Sequence, residues 1–351
     1  MSEMIEMLVE TVERIYKKHV DKEVVDTVEI GKWATDVWAL LNENEILSIA
    51  ISEKHGGAQG DIEDLMGLYH LVGKYAVPIP FVETTFANFI LQQLQGQPIS
   101  GSATFNVLEQ GVIIENGQLK GTLTNVAWAR HVEQLVTVAK DGEQLIIAQI
   151  ALTSKDIKQH KNLAGEPRDT VLLDHEVVQQ VTITQETLQK FQAYYTAAKN
   201  AQIAGAIDKV FDLTVRYSKE REQFGRPIHR FQLVQQHLAQ LAGEQAIVSA
   251  AIENVTAALV QGRFVDEIGY TTIRLEEAIK LVTASAHQVF AAIGVTQEHS
   301  LHQYTRRLWS WREDGLTATY WKKQIACILL ESNEIDIWEY LTNRENSFQL
   351  N

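Results

Sequence analysis

The densest set of phosphate-seeking groups in this 351-residue chain runs Arg221-Glu222-Gln223-Phe224-Gly225-Arg226-Pro227-Ile228, with Gln232 close behind. Arg221 and Arg226 each carry a guanidinium fork that can donate paired hydrogen bonds to phosphate oxygens. The amides of Gln223 and Gln232 can donate or accept, and Phe224 offers a flat apolar face to a ring system. Gly225 and Pro227 enforce a turn between two long helices. Backbone amides near His229 to Gln232 would open the second helix and add its positive dipole end. A phosphate-bearing ligand with a planar ring suits these groups. A solvated helix–helix corner has the same composition, so the cluster alone leaves both readings open.

The helices that must hold this corner have the cleanest periodicity in the chain. Ile203, Ile207, Val210, Thr214 and Tyr217 alternate steps of four and three. The alternation recurs through Phe231, Val234, Leu238, Leu241, Val248, Ile252, Val255 and Leu259, and through Leu275, Ile279, Val282, Ala286, Val289 and Ile293. Such seams pack as a near-parallel helix bundle. Toward the N-terminus, Val9, Val12 and Ile15, then Trp33, Val37, Leu40 and Leu41, predict further helices. A glycine break, His55-Gly56-Gly57, permits a left-handed path, and Pro78 and Pro80 end the helix that follows it. Between these helical zones, Asn116-Gly117 and Asp141-Gly142 sit between runs of β-forming residues, the pattern of two hairpins. The fold class expected is α+β, mainly α. It comprises an N-terminal helical domain (1–97), a small middle antiparallel β domain (98–185) and a C-terminal four-helix bundle (186–351).

Composition narrows the function classes. A net charge of −14 repels phosphate backbones and anionic lipid, which argues against nucleic-acid or membrane binding as the main task. No apolar stretch is expected to reach the ~20 residues a bilayer span needs, and the acidic start (Glu3, Glu6, Glu10) is unlike a secretory leader. A cytoplasmic setting is expected. The single cysteine, Cys327, excludes an internal disulfide and reads as a buried small hydrophobe. His299 and His302 have no third metal ligand in view, and Trp309, Trp311 and Trp321 read as core or subunit interface.

The segment from Tyr217 to Ile228, followed by Phe231-Gln232, resembles the R-x-[QT]-F-G…Q helix–turn–helix of the acyl-CoA dehydrogenases. Ser52-Glu53-Lys54-His55-Gly56-Gly57 is similar to the P-E-x-x-G-G loop of that family, with Ser52 in the proline position. Residues 288 to 320 resemble the segment that leads into its catalytic loop. The likeness covers nearly the whole chain, including the helix–strand–helix order. It implies FAD as cofactor, with Arg221 on the pyrophosphate and Gln223, Phe224 and Gln232 around the adenosine portion. Gln288 matches a glutamine given to the neighbouring subunit's flavin, and Thr317 a threonine contact just after the catalytic loop. The implied reaction is α,β-dehydrogenation of an acyl-CoA in fatty acid metabolism, with electrons passed to an electron-transfer flavoprotein. A dimer or dimer of dimers is implied as well.

Several positions depart from the family pattern. Ala291-Ala292 stands where a glycine pair usually follows the glutamine. The general-base glutamate aligns with Gly315, and its alternative site with Tyr195. A one-residue shift brings Asp314 into the slot, making it the candidate base. The flavin-facing Trp-x-Thr aligns with Asn125-Val126-Ala127. These departures support an alternative, a catalytically inactive structural partner that lends flavin-binding residues to a complete dehydrogenase subunit in a heteromer.

Overall fold

A computed structural model describes residues 3–262 and 264–331, so the last twenty residues of the expected bundle domain lie outside the described residues. The chain divides into two compact units, Met1–Tyr195 and Thr196–Asn351.

The first unit begins with helices α1 (Glu3–His19), α2 (Lys22–Glu29) and α3 (Thr35–Glu43). Asp21 caps α2 by accepting from the Val24 amide. Helix α4 (Ile62–Lys74) opens with a reciprocal box in which Asp61 and Asp64 accept from each other's backbone amides. In the glycine break, Gly56 takes the left-handed path (φ 83°) and Gly57 has a different task. A Cβ on Gly57 would lie 2.2 Å from the Ile51 carbonyl oxygen, so close backbone approach requires its glycine. Helix α5 (Phe81–Gln93) buries nearly every side chain, polar ones included. Thr84 donates to the Ala103 carbonyl at 3.0 Å, and Asn88 accepts from the Ile99 amide at 2.8 Å, which pins α5 to the sheet beside it.

That sheet comprises β1 (Ala103–Asn106), β2 (Ile113–Glu115), β3 (Gln118–Ala127), β4 (Gln134–Asp141), β5 (Gln144–Ala151), β6 (Ile157–Lys158), β7 (Arg168–Glu176) and β8 (Gln179–Ile183). The main order is β6-β7-β3-β2-β4-β5-β8. Pairing is antiparallel except where β1 and β2 meet β4 in parallel. Both hairpins form. Asn116 and Gly117 have φ of 55° and 78°, as a type I′ turn requires. In the second hairpin Asp141 stays in the ladder opposite Gln144, so the turn residues are Gly142 and Glu143. One buried network crosses this unit: Arg130 donates in fork fashion to Asp169, which is fully buried.

The second unit, which begins at Thr196 within the first of its long helices, is a helix bundle. Helix α6 (Gln185–Glu220) ends at the short hairpin β9 (Glu222–Gln223) and β10 (Arg226–Pro227), and α7 (Gln232–Gln261), α8 (Val265–Phe290), α9 (Leu301–Trp311) and α10 (Ala318–Glu331) follow. Polar ties cross the apolar seams. Asn200 donates to Thr272 at 2.9 Å, Gln245 to Asp208 at 3.1 Å, and Lys322 to Glu276 at 2.6 Å. Trp311 and Trp321 are core, and Trp321 lies against Gly269.

Two sequence expectations are corrected here. Cys327 is exposed on α10, not buried, because its apolar run winds around a helix with one face outward. The segment Val265–Val295 is long and apolar enough to cross a membrane, with mean hydropathy 1.4 over its most apolar window. Half of that window is buried inside the bundle, which is why a core helix carries such a composition.

Candidate functional site

The Arg221 corner is built from the outside of the bundle. Arg221 follows the last residue of α6, and its carbonyl accepts from the Ile228 amide at 2.9 Å, closing the loop. Gln223 pairs with Arg226 across β9 and β10, and the two residues between them, Phe224 and Gly225, have φ of 52° and 77°. Positive φ at both positions makes a type I′ turn, which explains the glycine; Phe224 accepts the left-handed conformation at a cost. The Phe224 ring is 92% exposed. It meets the edge of Phe231 at 6.1 Å, and the Arg226 guanidinium lies 4.3 Å over that same ring. Gln232 is the first residue of α7, whose N-cap, Phe231, gives no side-chain hydrogen bond. The first-turn amides are therefore left to water or a ligand. Arg221, Gln223 and Gln232 are all exposed beside them.

Gln288 lies exposed on the last turn of α8. Two residues on, the Phe290 ring stacks on Tyr217 of α6 at 4.2 Å. Ala291 then adopts φ 54°, ψ −141°, a backbone region otherwise reserved for glycine. The alanine pair thus keeps a glycine-like path and places a β-carbon on its exposed side.

Asp314 and Thr317 come together in a second place, a cleft also lined by Thr196, Lys199, Asn200, Thr272, Glu276 and Trp311. The side chain of Asp314 is 7% exposed and faces the ammonium of Lys199, itself 2% exposed, at 3.4 Å. On the other side of Gly315 (φ 72°), the Leu316 amide donates to Thr196 Oγ at 3.0 Å. The loop carrying Asp314 is held to α6 at both points. Of the residues expected in the site, Arg221, Gln223, Phe224 and Gln232 share the corner, Asp314 and Thr317 share the cleft, and Gln288 belongs to neither group. Lys199 and Thr196 were not expected. The available signal was a lysine inside the small-residue run Ala197-Ala198-Lys199-Asn200-Ala201. Tyr195, at the alternative base position, packs edge-on to Phe105 at 4.7 Å.

Sequence comparison decides the family. The profile of the acyl-CoA dehydrogenase N-terminal domain matches residues 2–93, and that of the C-terminal domain matches residues 191–312. The chain belongs to the acyl-CoA dehydrogenase family. It is 28% identical over 323 residues to the acyl-CoA dehydrogenase IpdE2 of Mycolicibacterium smegmatis, covering 88% of this chain and 93% of that protein. Its fold is similar to a chain of the ChsE4–ChsE5 complex from Mycobacterium tuberculosis (TM-score 0.83, 18% identity, 95% and 99% coverage). It is also similar to butyryl-CoA dehydrogenase from Megasphaera elsdenii (TM-score 0.81, 15% identity, 94% and 99% coverage).

Members of this family are FAD-dependent, and the corner's donor set fits the phosphate and adenosine half of that cofactor. Two exposed guanidinium-bearing residues, two exposed amides and an uncapped helix start supply charge-assisted and neutral donors for a dianionic pyrophosphate. The segment aligned with the flavin-facing Trp-x-Thr fits less well. Asn125 is exposed at φ 58°, but Val126 and Ala127 are buried and carry no hydroxyl. The Ala127 carbonyl is taken by the buried hydroxyl of Thr104 at 2.6 Å.

Proposed function

We propose that this chain is an FAD-dependent acyl-CoA dehydrogenase that forms the α,β double bond of an acyl thioester, with Asp314 as the general base. The observation that carries this reading is a carboxylate held almost wholly out of solvent in a cleft, on the loop aligned with the family's base. Bound FAD would supply the acceptor for the β-hydride. Arg221 would bind its pyrophosphate and Phe224 would cover the adenine, with Gln223 and Gln232 donating to the same adenosine portion. Gln288 and Thr317 are the remaining proposed contacts. Asp314, ionised beside Lys199, would take the α-proton and hold it as a carboxylic acid until product leaves. Electrons would then pass to an electron-transfer flavoprotein. An assembly of two or four chains would cover Leu233 and Val260, which α7 leaves 73% and 59% exposed. Cytoplasmic location is part of the same reading.

A second reading is favoured by Ala291 and by the buried Val126-Ala127 segment. The chain would then be an inactive partner whose corner serves the flavin of a complete subunit, and the ChsE4–ChsE5 complex offers a precedent for unlike chains of this fold in one assembly. A visible spectrum of the purified chain, followed by anaerobic addition of a panel of short, branched and long acyl-CoAs, separates the two. Near-stoichiometric flavin that bleaches supports the enzyme. A colourless protein that retains flavin only with a second chain supports the partner.

A further inference from the structure

Thr196 and Lys199 lie three residues apart on α6, hence on one face, and grip the loop on either side of Gly315. Thr196 accepts from the Leu316 amide, and Lys199 opposes the Asp314 carboxylate. Between them Gly315 takes a left-handed conformation within a bend. A lysine is an expensive choice for this position. Its neighbours Ala197, Ala198 and Ala201 are buried, and an apolar residue would pack there without desolvating an ammonium. A buried cation facing a buried anion is worth retaining where geometry, not stability, is the gain.

We propose that Lys199 is a positioning residue for Asp314: from α6 it keeps the carboxylate ionised and fixed in the cleft, while Thr196 fixes the backbone across Gly315. The assignment deepens, and rests on, the reading of Asp314 as the base. Other charged groups line the same cleft. Glu276 on α8 is engaged by Lys322 at 2.6 Å and Lys280 at 3.4 Å, and Arg312 pairs with Glu313 at 2.8 Å on the loop itself. The helix α10 contributes Ala318 and Thr319, neither charged. When Asp314 holds a proton its attraction to Lys199 is lost, so the same contact favours release of that proton to solvent once product has left, which restores the carboxylate.

The test is a titration of the full chain carrying carboxyl-¹³C aspartate, with Asp314→Asn assigning the Asp314 resonance. In Lys199→Met the Asp314 midpoint rises by about 1–3 pH units, and in Lys199→Arg it stays close to the parent value. An unchanged midpoint in folded Lys199→Met overturns the proposal. If Lys199→Met does not fold, the Lys199→Met/Asp314→Asn double variant decides. Restored folding supports the pairing, because the uncompensated charge has been removed, and continued failure overturns it. Flavin reduction by an acyl-CoA that survives in Asp314→Asn refutes the base and leaves the ¹³C result standing, so the two claims fail separately.

Discussion

At the Asp314 cleft the polar side chains find their partners within the chain: Lys199 faces the carboxylate, Thr196 holds the next amide, and Asn200 is tied to Thr272. At the Arg221 corner the donors point outward, Phe224 is almost wholly in solvent, and the helix start has no side-chain cap. Burial explains the contrast. A polar group taken out of water must be satisfied on the spot, whereas a group left in water can wait for a ligand. The polar groups of the cleft are therefore satisfied within the chain, and those of the corner are left to water or a ligand.

Four changes would sharpen or break this contrast. The largest effect is expected for Asp314→Asn, which should slow flavin reduction by an acyl-CoA about 10²- to 10⁴-fold in stopped flow with flavin content unchanged. Next, Arg221→Ala should weaken FAD binding about 10- to 100-fold, the loss of one or two charge-assisted hydrogen bonds, measured by flavin fluorescence. Its side chain is exposed, so thermal stability of the flavin-free chain should move by no more than about 0.5 kcal/mol. A clear fall in that stability would show that the corner is structural after all. Gly225→Ala should cost about 1–2 kcal/mol in urea unfolding, because space is open around it but its φ of 77° disfavours a β-carbon.

The smallest effect lies one residue before Gln288. Burial lowers the pKa of His287, whose Nδ1 is enclosed without a hydrogen-bond partner. The unfolded chain takes up that proton first, so the stability tied to the neutral ring is complete above about pH 6.5 and declines as the pH falls below it. His287→Phe should flatten stability against pH between about 6.5 and 5 in denaturant titrations. A slope equal to the parent's would mean that the imidazole is solvated and that the end of α8 is looser than described.

Much of this was legible in sequence. The seams at steps of three and four mark α6, α7 and α8 because one face of each must be apolar whatever its neighbours. Asn116-Gly117 fixes a hairpin because few other pairs tolerate two positive φ angles. The Asp141-Gly142 pair places its turn one residue too early, since composition does not say whether Asp141 belongs to ladder or turn. Helix α5 has weak amphipathicity because it is buried on all sides, and periodicity is the signal that such burial erases. At the site, Arg221, Gln223, Phe224 and Gln232 could be grouped because they are neighbours along the chain.

Lys199 could not be paired with Asp314 in that way. More than a hundred residues separate them, and only the packing of α6 against the cleft brings an ammonium within 3.4 Å of the carboxylate. Sequence alone determined where helices and turns fall and which residues can bind phosphate, because periodicity, turn chemistry and side-chain donors are local properties. Tertiary structure decided which charges meet, which alanine must follow a glycine's path and which cysteine faces water. Those outcomes depend on burial, and burial exists only once distant segments have packed.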